Sequence, residues 1–200
     1  MIYLLDTSHD YDECAVDLDT EPENVGQLIT PLTRFSNRHR ERFAIDNGAF
    51  SRFDGNAFQS LLEREKPNRD RCLFVACPDI VGSARRTLEV FDLYYPKLHG
   101  WPIALVCQDG QEDLPIPWQF IAAVFIGGST AWKVSPYAEA ICRAAKTLGK
   151  WVHMGRVNTP MRLELAESWG VDSVDGTGIS RFTQDRRDLV SKAQIRMELR

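Results

Sequence analysis

Short apolar runs alternate with amphipathic helical stretches along most of the chain, and this alternation constrains the fold more than any other feature. Strands that alternate with helices of about 10–15 residues predict a parallel sheet with helices packed outside it. Seven strand candidates are visible, at residues 2–5, 43–45, 73–76, 103–107, 124–126, 151–154 and 173–174. An eighth is expected at residues 27–30 or near residues 34–36. We therefore predict an α/β fold, a compact (β/α)8 TIM-type barrel of parallel strands, rather than an open doubly wound sheet.

Several of the predicted helices carry capping signals. Ser83 is expected to cap a helix over residues 83–94. Ser135 and Thr159 are each followed by proline, which suits the first position of a helix, and they predict helices over residues 136–148 and 159–169. Gly170 is placed to end the second of these. Helical spacing of apolar residues predicts further helices over residues 57–65 and 184–199.

The composition is that of a globular protein, with 44% hydrophobic and 26% charged residues in a chain of 200. This length predicts one domain over residues 1–200, close to the smallest barrel of eight strand–helix units. No apolar run approaches the roughly 18–20 residues that span a bilayer, and the N-terminal apolar run lacks a basic flank. We expect a cytoplasmic protein without membrane contact. Its five cysteines show no metal-ligand spacing, so we expect reduced thiols and no metal site.

Charge is distributed unevenly along the chain. The formal net charge is −4, but residues 1–30 hold eight acidic residues and no lysine or arginine, which leaves 24 basic and 20 acidic residues in the rest. Two basic clusters stand out, one of Arg34, Arg38, His39, Arg40 and Arg42 and one of Arg181, Arg186 and Arg187. They indicate either solvated surface or a phosphate-contacting rim around a site, with the acidic segment folded away from it.

Polar or glycine residues follow most of the predicted strands directly. In a parallel α/β barrel the carboxyl ends of the strands meet at one mouth, where active sites form. We therefore expect these side chains and glycines to face a common cavity. They are Asp46, Asp79, Gln108, the pair Gly127 and Gly128, and Asp175.

The same residues resemble a known family. The runs 46–50 (DNGAF), 125–128 (FIGG), 153–155 (HMG) and 170–175 (GVDSVD), together with Gln108 and the pair at 180–181, resemble the tRNA-guanine transglycosylase superfamily, which includes DNA-acting relatives that insert deazapurines. Order and spacing agree from about residue 40 to residue 182. The resemblance implies a (β/α)8 barrel and a reaction at the C1′–N glycosidic bond of a nucleotide in a polynucleotide.

The resemblance also implies two catalytic roles. Asp175 would be the nucleophile that attacks C1′ and holds a covalent glycosyl–enzyme intermediate. Asp46 would be the general acid/base that handles the proton of the departing or incoming base. A carboxylate suits the first role because the transition state is positively charged. The second role needs a carboxyl group whose pKa is raised, for example by apolar neighbours.

Base recognition is implied for Asp79, Gln108, Gly127 and Gly128. Asp79 would accept from the N1–H and 2-amino edge of a guanine-like base, and Gln108 with the backbone N–H of Gly128 would address its carbonyl. Phe50 and Met154 would sandwich the ring of a base extruded from its strand. Arg181 would pair with a phosphate.

The sequence also departs from the family pattern. Members that act on tRNA carry a cysteine-rich zinc site after the nucleophile region, whereas Asp175 is followed by 25 residues without cysteine. We therefore expect no zinc subdomain and favour DNA over tRNA as the substrate, with a free modified purine base as a possible second substrate. No cofactor is expected, and the oligomeric state stays open.

Four functions compete at this point. The first is exchange of a guanine-like base in DNA for a 7-deazapurine. The second is a DNA glycosylase, in which water resolves the intermediate and leaves an abasic site, for defence or repair. The third is a non-catalytic barrel that binds nucleic acid, and the fourth is an enzyme that binds a phosphorylated ligand at residues 127–130 (GGST).

Overall fold

The computed structural model describes residues 1–6, 11–33, 42–181 and 183–198, and it contains a closed barrel of parallel strands. Each strand pairs with the next in chain order, and the last pairs with the first, where Ile2 lies opposite Ser173. The predicted (β/α)8 fold is therefore confirmed. The strands are β1 (Ile2–Leu5), β2 (Val25–Ile29), β3 (Phe43–Ile45), β4 (Cys72–Ala76), β5 (Ile103–Cys107), β6 (Ala123–Ile126), β7 (Trp151–Met154) and β8 (Ser173–Asp175).

Helices separate most of the strands in sequence, and two more follow the last strand. They are α1 (Tyr11–Asp17), α2 (Gly55–Glu65), α3 (Ala84–Tyr94), α4 (Thr130–Lys133), α5 (Pro136–Thr147), α6 (Pro160–Ser168), α7 (Thr177–Arg181) and α8 (Thr183–Glu198). Short 3₁₀ turns occur at Pro22–Asn24, Lys66–Arg71, Tyr95–Leu98, Gln111–Asp113 and Trp118–Phe120. Across the described ranges, no helix is both long enough and apolar enough to cross a bilayer.

The local sequence signals account for most boundaries. Ser83, Ser135 and Thr159 each cap a helix as predicted, by accepting a hydrogen bond from a backbone N–H three residues further on. Gly170 follows α6 with φ +71°, the left-handed conformation that favours glycine at a helix end. The eighth strand is β2, which begins two residues before the predicted 27–30, whereas residues 34–36 lie outside the described residues. Helix α1 was missed within the acidic segment.

Side chains alternate between two apolar layers. Ile2 and Leu4 belong to a cluster inside the barrel, and Tyr3 and Leu5 to the layer between strands and helices, which follows the two-residue period of a strand. The interior cluster consists of Ile2, Leu4, Leu28, Ala44, Phe74, Ala76, Ala104, Val106, Ala123 and Phe125. Of its alanines, Ala76 lies at the carboxyl end of its strand, whereas Ala104 and Ala123 lie toward the amino ends of theirs. All five cysteines are buried thiols.

Two arginines of the second basic cluster, Arg186 and Arg187, form ion pairs within the fold. The carboxylate of Asp17, at the end of α1, accepts from Arg186 Nη2 at 2.6 Å and from Arg187 Nε at 2.8 Å. Arg186 is 5% exposed and Asp17 3% exposed, so this pairing ties the acidic segment to α8. Of the two alternatives, neither a phosphate-contacting rim nor solvated surface fits the buried Arg186, and the expectation that the acidic segment folds away from this cluster was wrong, since Asp17 pairs with both arginines. Of the first basic cluster, residues 34–40 lie outside the described residues.

Candidate active site

A cavity of about 270 Å³ opens where the carboxyl ends of the strands meet. This volume is close to the lower end of the roughly 300–1,000 Å³ that ligand pockets span. The structure brings seven of the nine predicted site residues to this cavity. They are Asp46, Phe50, Asp79, Gln108, Gly127, Gly128 and Asp175. Leu28, Ala76, Val106 and Phe125 of the interior cluster also line it, so the barrel interior forms its floor.

Asp175 ends β8 and receives two hydrogen bonds. His153 Nε2 lies 2.9 Å from Oδ2, and the backbone N–H of Arg156 donates to Oδ1 at 2.9 Å. Burial by itself would raise the pKa of Asp175, but the hydrogen bonds from His153 and Arg156 and the nearby charge of Lys133 hold that pKa below its ordinary value. Asp175 is therefore ionised at neutral pH.

His153 is oriented by a chain of hydrogen bonds that begins at Trp151. The indole N–H of Trp151 donates to Ser173 Oγ at 2.9 Å, and the same Oγ lies 2.9 Å from His153 Nδ1. Burial lowers the pKa of His153, against the opposing effect of Asp175, so the ring is neutral. Because an ionised Asp175 only accepts, Nε2 carries the proton, and Nδ1 accepts from the Ser173 hydroxyl. This assignment makes His153 a fixed donor to Asp175.

Asp46 follows β3 and has fewer donors. Its Oδ1 accepts from the backbone N–H of Gly48 at 2.6 Å, in a turn that Gly48 completes with φ +78°. Burial raises the pKa of Asp46 to about 7; the Gly48 hydrogen bond opposes this rise, and the charges of Asp175 and Asp79 add to it. Asp46 is therefore protonated in a large fraction of molecules near neutral pH.

Asp79 is held by two amide side chains. Asn47 Nδ2 donates to Oδ1 at 2.8 Å and Gln108 Nε2 donates to Oδ2 at 2.7 Å. Burial raises the pKa of Asp79, and these two hydrogen bonds oppose the rise. Each carboxylate oxygen keeps one free lone pair, so Asp79 can still accept from a ligand in the cavity. The contribution of Asn47 was not predicted from the sequence.

Gln108 uses its carbonyl on the protein itself. Its Oε1 accepts from the backbone N–H of Gly82 at 2.9 Å and of Gly128 at 3.0 Å. The N–H of Gly128, predicted to address the carbonyl of a base, is thus donated to Gln108. The reason is that β5 and β6 are neighbours, so the loop after β6 folds onto the end of β5.

Residues 127–130 do not form an open phosphate-binding loop. The donors at the centre of this loop are already used by Asp109. Ser129 N and Oγ donate to the two carboxylate oxygens of Asp109 at 2.6 and 2.5 Å. Burial would raise the pKa of Asp109, but the bonds to Ser129 and the charge of Arg156 hold it below its ordinary value. A phosphate at this loop would meet an ionised carboxylate, which disfavours the fourth function.

Met154 is the one predicted site residue that the structure turns away from the cavity. It is fully buried in the layer between strands and helices, so the prediction that it sandwiches a base was wrong. The two-residue period of β7 places His153 and Gly155 on the inner side instead. At Gly155, which lines the cavity, a Cβ atom would lie 2.8 Å from the Phe125 ring. The structure thus puts backbone where a side chain was expected.

Phe50 and Arg156 lie together at the mouth of the cavity. Phe50 is 68% exposed, and the Arg156 guanidinium lies over its ring, 4.7 Å from the centroid. Arg156 was not predicted as a site residue, because a lone arginine after a strand carries no motif. The backbone of Arg181 ends α7, and its side chain lies outside the described residues, so its contact with a phosphate stays a prediction.

Lys133 is a further buried charge beside the site. It is 1% exposed, and its Nζ donates to the backbone carbonyl of Gly155, on the loop that carries Arg156. Burial lowers the pKa of Lys133 to about 7, the charge of Arg156 lowers it further, and the charge of Asp175 opposes both. Lys133 does not line the cavity, so we assign it to positioning this loop.

The cavity combines one ionised carboxylate, one carboxyl group that titrates near neutral pH and one buried carboxylate held by amides. Such a set can attack an electrophilic carbon, exchange a proton and accept hydrogen bonds from a ligand. Within residues 1–6, 11–33, 42–181 and 183–198, no group of three His, Cys, Asp or Glu side chains is placed to hold a metal ion.

Comparison with known proteins supports the fold alone. No protein-family model matches the chain, and no curated protein matches its sequence. A chain of the Amycolatopsis orientalis BexX/CysO complex superposes with a TM-score of 0.53 at 8% identity, over 97% of this chain and 87% of that chain. A native KDPGal structure superposes with a TM-score of 0.50 at 11% identity, over 99% and 93%. At such low identity these likenesses show a shared barrel architecture only.

Proposed function

We propose that this protein is an enzyme that breaks the N-glycosidic bond of a guanine-like base in DNA and exchanges that base for a 7-deazapurine. One observation carries the proposal. Two carboxyl groups at the ends of different strands line one cavity, and their pKa values are shifted in opposite directions. Paired carboxyl groups whose environments separate their pKa values are the usual basis for assigning an acid and a nucleophile.

Asp175 performs the first covalent step. One carboxylate oxygen attacks C1′ of the extruded nucleotide while the C1′–N bond to the base breaks, which leaves a glycosyl ester on Asp175. The positive charge that develops at C1′ is stabilised by the same carboxylate before the bond forms. The hydrogen bonds from His153 and Arg156 fix the carboxylate orientation and keep it ionised.

Asp46 supplies the proton for the departing base. With a pKa of about 7 it gives up its proton to a ring nitrogen as the base leaves and becomes a carboxylate. The incoming deazapurine then loses its ring N–H proton to Asp46. Its nitrogen attacks C1′, the bond to the Asp175 oxygen breaks, and both carboxyl groups return to their starting states.

Asp79 and Phe50 recognise the base in this scheme. Asp79 accepts from the N1–H and 2-amino groups through its free lone pairs, while Asn47 and Gln108 hold its carboxylate in place. Phe50, exposed at the mouth, offers an aromatic face for stacking. A base that lacks the two donors would leave the remaining lone pairs of the buried Asp79 carboxylate unpaired, which is the basis of selectivity.

Hydrolysis is the alternative outcome for the same intermediate. Water then attacks C1′ in place of a base, Asp46 takes its proton, and the product is an abasic site. Exchange and hydrolysis use the same residues, so the geometry of the cavity favours neither of them.

The test incubates the protein with DNA and, in parallel, with tRNA, each with and without free 7-deazaguanine bases. Exchange predicts incorporation of the free base with no accumulation of abasic sites. Abasic sites that form without added base would support the glycosylase alternative instead. Acid quenching should trap a covalent nucleic acid–protein adduct on wild-type protein, and its absence on every substrate, together with no base release, would refute both reactions. Turnover on tRNA alone would overturn the choice of DNA.

A further inference from the structure

Arg156 adopts a backbone conformation that non-glycine residues rarely take. Its φ is +58°, in the left-handed region. Two hydrogen bonds hold it there. Its N–H donates to Asp175 Oδ1 at 2.9 Å, and its carbonyl accepts from Arg162 Nη1 at 2.7 Å. Strained residues of this kind cluster at ligand-binding sites, where the surrounding structure supports them.

The guanidinium of Arg156 lies at the cavity mouth and makes its direct contacts with neutral groups, while the charge of Asp109 interacts with it from further away. One N–H group donates to the backbone carbonyl of Gly128, and the ring of Phe50 covers one side. In the part of the chain that the structure describes, no carboxylate lies within 4.0 Å of this guanidinium. The nearby Asp109 is already occupied by Ser129. A planar cation with unused donors at a cavity mouth is suited to bind an anion in two-pronged fashion.

We infer that Arg156 binds a backbone phosphate next to the extruded nucleotide, and that this contact draws the guanidinium away from Phe50. The inference rests on the proposed function. It adds that the enzyme recognises the phosphate backbone of the DNA strand as well as the base. Phosphate groups are attached to the same sugar whose C1′ reaches Asp175, and Asp175 accepts from the Arg156 backbone. This is the kind of contact that the family resemblance implied for Arg181.

Charge balance gives a physical reason for this role. A cation beside Asp175 opposes the positive charge that develops at C1′, and a phosphate bound to Arg156 neutralises it. Removal of the guanidinium from Phe50 also frees one face of the ring for the base. Phosphate binding and base entry are thus linked through one side chain, which favours a nucleotide within a strand over a free nucleoside.

The experiment measures DNA affinity as a function of salt for wild type, Arg156→Gln and Arg156→Lys. The logarithm of the DNA-binding constant falls linearly with the logarithm of salt concentration, and loss of one phosphate contact makes this slope less steep by about 0.7–0.9. We expect that decrease for Arg156→Gln, with a roughly tenfold loss of affinity, whereas Arg156→Lys retains the slope because it retains the charge. The control is Arg143→Gln, which removes an exposed cation on α5 that pairs with Glu139; it should leave the slope unchanged. Thermal unfolding verifies that each variant is folded.

A neutral methylphosphonate linkage next to the target nucleotide locates the contact. It should weaken wild-type binding about as much as Arg156→Gln does and should not weaken that variant further. An unchanged salt slope for Arg156→Gln, or additive effects of linkage and substitution, would overturn the inference. If inorganic phosphate or a nucleoside monophosphate binds through Arg156 as tightly as DNA, the source is a free phosphate compound and the assignment to a strand is wrong.

These outcomes differ from failure of the proposed function. If Arg156→Gln keeps the wild-type salt slope but base release continues, the inference fails and the function stands. If wild type releases no base yet binds DNA through Arg156, the function fails and the phosphate contact stands.

Discussion

The two sides of the cavity carry the same kind of residue in opposite states. On the β3–β4 side, Asp46 has one backbone donor and feels two other carboxylates, and its pKa is raised to about 7. On the β7–β8 side, Asp175 has two donors and nearby positive charge, and its pKa lies below the ordinary value. Burial alone would raise the pKa of both. The comparison teaches that the number of donors and the sign of neighbouring charges, rather than burial, separate the two roles.

Asp175→Asn should have the largest effect. It removes the nucleophile while keeping the size of the side chain, so we expect base release to fall by roughly 10⁴-fold. Single-turnover assays on DNA, with acid quenching to detect the covalent adduct, provide the measurement. An adduct that persists at the wild-type level would show that another residue is the nucleophile.

Asp46→Asn should lower turnover by about 10²–10⁴-fold and change its pH dependence. In wild type the protonated acid is present below pH 7 and is lost above it, so activity should fall tenfold per pH unit on the alkaline side. That decline should be missing in the variant. A wild-type profile that stays flat between pH 7 and pH 9 would contradict the assigned role.

The same substitution tests the pKa independently of activity. Since the folded-state pKa of Asp46, about 7, lies above that of the unfolded chain, the free energy of unfolding should fall as pH rises from about 4 to about 7 and level off above that. Asp46→Asn removes this decrease. The free energy of unfolding of the variant, relative to that of wild type, should therefore be greater at pH 8 than at pH 4 by on the order of 4 kcal/mol.

Asp79→Asn, also on the β3–β4 side, should have a smaller effect. We expect kcat/KM for a guanine-like base to fall about 10²-fold. Most of the loss should be in KM, because the residue contacts the base and not the reacting bond. The variant also removes a charge that raises the pKa of Asp46, so the alkaline decline should move to lower pH. A loss confined to kcat with an unmoved profile would refute base recognition by Asp79.

His153→Leu should have the smallest effect, roughly a tenfold loss of kcat, because it removes one donor from Asp175. The pKa of Asp175 should then rise, and the acidic side of the profile should move to higher pH. His153→Gln, which keeps an N–H donor, is the matched control. It should retain most of the wild-type kcat and most of the wild-type position of the acidic side of the profile. Equal losses in the two variants would indicate a packing role against Phe74 and Phe125, whose rings lie 4.9 and 4.5 Å from His153.

The sequence identified most of the side chains that line the cavity, but it did not identify the residues that hold those side chains in place. Asp46, Asp79, Gln108 and Asp175 were found because each lies at the carboxyl end of a strand or within three residues of it, and all of them line the cavity. Met154 was wrongly predicted to face the cavity. The motif that contains it does not show which residues at the end of β7 point into the barrel, and these are its neighbours His153 and Gly155.

His153 and Arg156 were missed for a different reason. Their partners are tertiary, since Asp175 lies 22 residues from His153 and 19 residues from Arg156 in the chain. Arg186 was misassigned because its partner, Asp17, lies 169 residues away. No spacing rule in a single sequence connects such pairs.

By itself, the sequence determined the barrel and the set of carboxyl groups at its mouth. Both follow from local periodicity and from the convergence of parallel strand ends. Only the tertiary structure decided which carboxyl group is ionised, which glycine N–H is occupied and which arginine faces the cavity. Those properties depend on a few hydrogen bonds between residues at the ends of neighbouring strands, such as Asn47 to Asp79 and Arg156 to Asp175, whose partners lie far apart in the sequence.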